Sequence, residues 1–274
     1  MTPGPAKLGL IAGGGSLPIL LAQRCRAAGR PLFVLRLKGF ADPALSEFEG
    51  AEAGIAELGR LFELLRQAGV GAVCLAGIVN RPDFAALKPD LRGLKAIPGA
   101  IAAAAKGDDA LLRFVVGEFE REGFDIEGAD QVDAGLTLPP GSLGRIVPTP
   151  EQAADIAVAL AAARAVGLRD LGQGAVAVGG RVVAEEGLDG TDAMLRRCAE
   201  GANARGGILA KVPKPIQERR VDLPVIGVAT MEGAAAAGLA GVAGEAGSVL
   251  VLDRAAVVAA ADRLGLFVVG IAAP

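Results

Sequence analysis

Fourteen residues of this sequence gather the groups that cleavage of a phosphorus anhydride would need: Lys211-Val212-Pro213-Lys214-Pro215-Ile216-Gln217-Glu218-Arg219-Arg220-Val221-Asp222-Leu223-Pro224. Four cations and three side-chain acceptors surround three prolines. Cations can neutralise the charge that develops on a pyrophosphate, while an aspartate can bind metal or orient the attacking water. Proline limits the backbone, and a stiff loop holds reacting groups better than a mobile one. Asp222, Lys211, Lys214 and Gln217 are the catalytic candidates. The competing description of the same run is a solvated, charged loop.

A second group of acids lies upstream. Glu186, Asp189 and Asp192 fall within seven residues at an expected strand-to-helix turn. With Asp222 they make an all-oxygen candidate set for a hard cation, Mg²⁺ or Mn²⁺. Thr191 and Asp192 also suit the start of a helix, where a hydroxyl or carboxylate caps backbone amides. Gln173, inside Gly172-Gln173-Gly174, and Thr191 are candidate substrate contacts.

The first half offers a different chemistry. Gly13-Gly14-Gly15-Ser16-Leu17-Pro18 follows an apolar run and opens a helical pattern, so its amides could seat a phosphate. Pro18 stands where a dinucleotide fingerprint needs its third glycine, and Arg36 and Lys38 end the second strand without the ribose-binding acid. A nicotinamide dehydrogenase is therefore disfavoured. Asn80 and Arg81, after the third expected strand, supply donors for a sugar, uracil or phosphate. Lys106 is a candidate phosphate contact, and Asp108 or Asp109 reads as the N-cap of the following helix.

Histidine is absent. Imidazole bases, Ser–His and Cys–His nucleophiles and His-ligated zinc are thereby excluded. The three cysteines lie far apart and read as small core residues of a reducing compartment. The formal charge is −3, without a basic tract, which argues against a nucleic acid polymer as partner. No signal peptide is expected, and the apolar stretch 156–168 is too short to span a bilayer.

These groups must be carried by elements. The 274 residues suit two domains, and a core of 52% hydrophobic but only 3% aromatic residues must be aliphatic. Apolar runs at 7–12, 31–36 and 72–76 alternate with helical patterns at 19–28 and 57–68, with further helices at 97–106 and 108–122. That alternation predicts an α/β fold with a parallel sheet in a Rossmann-like first domain, 1–133. Proline-rich 134–150 reads as a linker. The remaining 151–274 predict a second α/β domain: helices at 151–167, 191–199, 231–238 and 254–264, a hairpin at 174–185, and strands at 207–212, 223–228 and 267–271.

Seven segments in order, KLGLIAGGGSLP, GIVNRPDF, AKGDDALLR, DLGQGAVAV, EGLDGTDAMLRR, AKVPKPIQERRVDLPVIG and GLAGVAGEAG, resemble the LpxI-type UDP-2,3-diacylglucosamine pyrophosphatases. The resemblance implies a cytoplasmic, Mg²⁺-dependent hydrolase of two domains that hold the lipid product between them. It would convert UDP-2,3-diacylglucosamine to 2,3-diacylglucosamine 1-phosphate (lipid X) and UMP in lipid A synthesis. Attack is implied at the phosphorus on the sugar side, and the family's essential V-D-L-P aspartate maps onto Asp222. A transient contact with the inner face of the inner membrane and a homodimer are the further partner expectations. A nucleotide- or lipid-binding protein without catalysis is the alternative class.

Overall fold

A computed structural model describes residues 6–80, 83–215 and 217–273. Arg81, expected beside Asn80 as a donor, lies outside the described residues. The chain divides into two compact units. The first comprises 1–134 and 218–221, and the second comprises 135–217 and 222–274.

The first unit has strands β1 (Leu8–Ala12), β2 (Leu32–Leu37), β3 (Gly50–Ala53), β4 (Ala72–Ala76) and β5 (Asp125–Ile126). Its helices are α1 (Ser16–Ala27), α2 (Leu58–Gln67), α3 (Leu91–Ala104), α4 (Asp108–Arg121) and α5 (Ala129–Val132). The strands pair in the order β3-β2-β1-β4-β5, all parallel. Leu8 pairs with both Leu32 and Ala72, so β1 is central and every one of its residues is buried. This is the Rossmann-like parallel sheet that continuous apolar runs predict. Phe62, Phe119 and Phe124 pack together in its core, the first two edge to face at 5.2 Å between centroids.

Helix α3 begins before the expected 97. Asp90 caps it by accepting from the Gly93 amide at 2.8 Å, and Pro98 is carried inside the helix. The capped N-terminus, six residues upstream of the expected start, outweighs the one amide that Pro98 lacks. The expected N-cap role of Asp108 or Asp109 is also corrected. Gly107, at φ 123°, precedes α4 without a side-chain cap, and both acids occupy the first turn.

The second unit has strands β6 (Gly141–Leu143), β7 (Gly174–Val178), β8 (Arg181–Glu185), β9 (Ile208–Lys211), β10 (Val225–Ile226), β11 (Gly241–Glu245), β12 (Leu250–Val251) and β13 (Phe267–Ile271). Its helices are α6 (Pro150–Leu168), α7 (Gly190–Gly201), α8 (Val228–Ala236) and α9 (Arg254–Leu264). Six strands pair as β6-β13-β11-β9-β7-β8, parallel in the middle and antiparallel at both edges. Strand periodicity sorts the faces. Val176, Leu209, Val242 and Val268 point into one cluster with residues of α7, α8 and α9. Ala175, Ile208, Ala210, Ala243 and Phe267 point into another with Ile156, Ala159, Leu160 and Ala163 of α6. Thr149 starts α6 through a capping box with Gln152.

The proline-rich stretch expected as a linker is built into this second unit. Gly141–Leu143 pairs with β13 at the sheet edge, and Leu138 is fully buried. Arg254 donates to the carbonyls of Gly135 and Thr137. Prolines exclude a central strand but not the neighbourhood of an edge strand.

Candidate active site

The residues of chemical interest in the second unit meet at one end of its six-stranded sheet. Lys211 ends β9, and the register sets Gly174 of β7 on one side of it and Gly244 of β11 on the other. Strand β8 returns beside β7 and delivers Glu186 to the same end, where the Glu186 amide donates to the Gly174 carbonyl at 2.9 Å. This is the carboxyl end of the parallel strands, the usual ligand edge of an α/β sheet.

Two glycines make room there. A Cβ on Gly172 would lie 2.7 Å from both Cβ and the carbonyl oxygen of Glu186, and one on Gly174 would lie 2.6 Å from Glu186 Oε2. The Thr191 hydroxyl donates to the same Oε2 at 3.0 Å. Between the glycines, the Gln173 carbonyl accepts from the Val212 amide at 2.9 Å, and the Gln173 Nε2 makes a long contact of 3.4 Å with Asp222 Oδ2. The Gly172-Gln173-Gly174 run thus places Glu186 through its absent side chains and faces Asp222 through its amide.

Lys211 is the hub of this arrangement. Only 7% exposed, it donates from Nζ to the Val225 carbonyl at 3.0 Å. Burial pushes its ammonium below the ordinary lysine range, while Glu186, Asp192 and Asp222 pull it back up. Three formal carboxylates around one ammonium leave an excess of negative charge, which suits a cation arriving with a phosphate substrate.

The other candidates have different settings. Asp189 is drawn into an ion pair with Arg197 on the outside of α7, which holds its carboxyl below the usual range. The four-acid metal set is therefore not assembled. Among the described residues no group of three or more His, Cys, Asp or Glu is placed to hold an ion by itself. Lys214 donates from Nζ to Asp170 Oδ1 at 2.7 Å, a partner that its distance in sequence concealed. Gln217 is buried and accepts from the Lys214 amide at 2.8 Å, so it braces the loop. Asp170, with φ at 56°, is a partner that composition did not mark.

In the first unit, Gly13 and Asn80 follow β1 and β4, the adjacent central strands at which the strand order reverses. The expected phosphate cradle is smaller than three glycines. The Gly13 amide donates to the Ala76 carbonyl at 2.8 Å, and Gly14 and Ile78 exchange two backbone bonds of 2.9 and 2.8 Å. A Cβ on Gly13 would meet the Ile78 carbonyl oxygen at 2.8 Å, so this glycine serves the close approach of two loops. Gly15, at φ 82°, opens α1, whose first-turn amides are the donors that a helix leaves for a ligand. Asn80 and Lys106 are exposed.

Asp109, expected as a cap, is buried at 4% exposure and paired with Arg113. Its Oδ1 accepts from the amide of Glu218 at 2.9 Å.

The comparisons with known proteins cover both units. The LpxI N-terminal domain model matches residues 7–136, and the LpxI C-terminal domain model matches residues 139–269. The chain is 60% identical over 272 residues to the UDP-2,3-diacylglucosamine pyrophosphatase LpxI of Caulobacter vibrioides, covering 97% of each chain.

Proposed function

The chain belongs to the LpxI family, and from that premise we propose that it hydrolyses UDP-2,3-diacylglucosamine, the substrate in its Caulobacter relative's name. Water opens the pyrophosphate and yields 2,3-diacylglucosamine 1-phosphate (lipid X) and UMP, a step of lipid A synthesis. The observation that carries this reading is that the buried Lys211, Glu186 bonded by Thr191, and Asp222 contacted by Gln173 lie at one end of the second sheet, its ligand edge. Anhydride cleavage needs neutralised charge and an oriented water, both of which these residue types supply without histidine.

In this reading Asp222, faced by the Gln173 amide, orients the water toward the sugar-side phosphorus. Lys211 counters charge on the departing oxygens, and Thr191 and Gly172 fix the Glu186 carboxylate beside it. Lys214, neutralised by Asp170, and Gln217 shape the loop.

Divalent metal, Mg²⁺ or Mn²⁺, is part of the proposal. Mg²⁺ commonly takes one or two protein carboxylates together with substrate phosphates, which fits a site of few acids and excess negative charge. Asp222, Glu186 and Asp192 would hold it, and when bound it would draw charge from the pyrophosphate oxygens.

No helix among the described residues is long and apolar enough to cross a membrane. Helix α3 exposes Leu91, Leu94 and Ile101, which helical spacing puts along one side, and Lys95 is exposed with them. That supports a cytoplasmic enzyme in transient contact with the inner-membrane surface that supplies its acylated substrate.

The test is turnover of UDP-2,3-diacylglucosamine in ¹⁸O-labelled water with Mg²⁺ and with excess chelator. UMP release, label in lipid X and loss of turnover in chelator are expected. No UMP in the presence of metal overturns the hydrolase reading. Full turnover in chelator overturns the metal, and label in UMP overturns sugar-side attack.

A further inference from the structure

Helix α6 ends in a stop that ordinarily belongs to glycine. The Asp170 amide donates to the Gly167 carbonyl at 3.1 Å, and the Leu171 amide donates to the Val166 carbonyl at 3.4 Å. These crossed bonds require the residue after the cap to turn left-handed. Here that residue is Asp170, at φ 56°. Glycine takes such a conformation at no steric cost, whereas a residue with a Cβ is strained in it. A carboxylate is also unfavourable just past a helix C-terminus, the negative end of the dipole. Two local costs fall on one position, and backbone strain of this kind persists where the side chain has a use.

The side chain reaches the lysine-proline loop. Lys214 Nζ donates to Asp170 Oδ1 at 2.7 Å, and with the two side chains 16% and 31% exposed the pair is largely shielded from screening by salt. The loop lies close against the same end of α6, since a Cβ on Gly167 would come within 3.2 Å of Lys214 Cα and Pro215 Cδ. Between this clamp and the sheet, the antiparallel register of β7 with β9 runs on. Gly174 pairs with Lys211, and the Gln173 carbonyl then accepts from the Val212 amide at 2.9 Å. Residues 170–174 and 211–214 thus form one strap, closed at its far end by Asp170 and Lys214. The strap and Asp222, which Gln173 contacts, all belong to the second unit.

We propose that Asp170 is a positioning residue for the hydrolytic reaction: through Lys214 it holds the strap shut, and the strap keeps the Gln173 amide on Asp222. Groups that orient an attacking water must be held to a fraction of an ångström. The Asp170–Lys214 bond is of the stronger, charge-assisted kind. The contact from Gln173 Nε2 to Asp222 Oδ2 is already long at 3.4 Å, so a small opening of the strap breaks it.

The inference rests on the hydrolase reading for its kinetics. The experiment compares Asp170→Gly, Asp170→Asn, Lys214→Met and the double variant Asp170→Asn/Lys214→Met with wild type, by steady-state kinetics, thermal melting and hydrogen exchange. Gly and Asn both suit the left-handed position, so melting of the two Asp170 variants should stay within a few degrees of wild type. In each, kcat should fall by at least ~10-fold with KM within about twofold, because the lost placement acts in the transition state. The amides of Val212 and Lys214 should exchange faster. Asp170→Asn should cost nothing further in kcat once Lys214 is Met, since Asp170 acts through that ammonium. If an Asp170 variant does not fold, Lys214→Met is judged by the same kcat and exchange criteria. A wild-type kcat per folded molecule, unchanged exchange at Val212 and Lys214, or fully additive losses in the double variant each overturn the proposal. Absence of turnover in the wild-type chain would instead strike the hydrolase reading, and the exchange measurement still decides whether the clamp holds the strap.

Discussion

The carboxylate of Glu186 occupies space that any side chain at position 174 would need: its Oε2 lies 2.6 Å from where a Cβ on Gly174 would stand. Gly172 is the less forgiving of the two, because the obstacle there, at 2.7 Å, includes the Glu186 carbonyl oxygen, which cannot rotate away. The paired glycines around Gln173 are therefore part of the machinery that delivers an acid to the Lys211 cluster.

Gly172→Ala tests that relationship. Overpacking against backbone should cost about 1–3 kcal/mol of stability, and the displaced Glu186 should lower turnover as well. Chemical denaturation and kinetics on the folded variant check it. An unchanged melting temperature and kcat would show that the space is not needed.

Asp222→Asn should abolish most turnover, by at least ~10²-fold in kcat, while the protein still folds and binds substrate. Single-turnover kinetics with a binding measurement separates the two effects. Normal kcat in the folded variant removes Asp222 from the chemistry.

Lys211→Met should destabilise the fold by about 1–3 kcal/mol, since it removes the hydrogen bond to the Val225 carbonyl and the ammonium that offsets Glu186, Asp192 and Asp222. The expected signature is partial recovery when Glu186→Gln is added, because one uncompensated charge is then removed. Additive losses in the double variant would mean that the two residues do not interact.

The Glu218–Arg220 pair predicts a pH dependence. Hydrogen bonding from Arg220 holds the Glu218 carboxyl below its ordinary 4.5. A carboxyl lowered in the folded state contributes stability above its unfolded value, and loses it as pH falls through the folded value. The stability gap between wild type and Arg220→Gln should thus be full at pH 6–7 and shrink steadily below pH 4.5. Urea unfolding at several pH values measures it, and a gap independent of pH contradicts the pairing.

Cys74 should resist thiol reagents in the native protein. Burial pushes its thiol up to about 12, so at pH 8 only on the order of one in 10⁴ molecules would carry the thiolate. Cys25 and Cys198 are also buried and raised. Labelling with an alkylating reagent should be negligible until denaturant is added. Fast native labelling would mean that the core opens locally.

Strand-and-helix alternation was readable in the sequence because buried parallel strands need unbroken apolar runs. The apolar runs at 7–12, 31–36 and 72–76 became β1, β2 and β4 within a residue at each end. The short β3, written Gly-Ala-Glu-Ala, has no β-branched residue and gave no such signal. The family was also readable, since its seven motifs lie in order along one chain. The charge-rich run from Lys211 to Pro224 stood out by composition.

Its internal division did not. Lys211 is buried among acids, Lys214 is neutralised by Asp170, Glu218–Val221 belongs to the first unit, and Asp222 returns to the second. Likewise Asp189, only three residues from Glu186, pairs outward with Arg197 while Glu186 lies against Gly172 and Gly174. Periodicity and composition report how each element meets solvent and core, so they determined the elements and the kinds of groups available. Which charge meets which depends on where separate elements cross, as between Asp109 and Glu218, and only tertiary packing decides that.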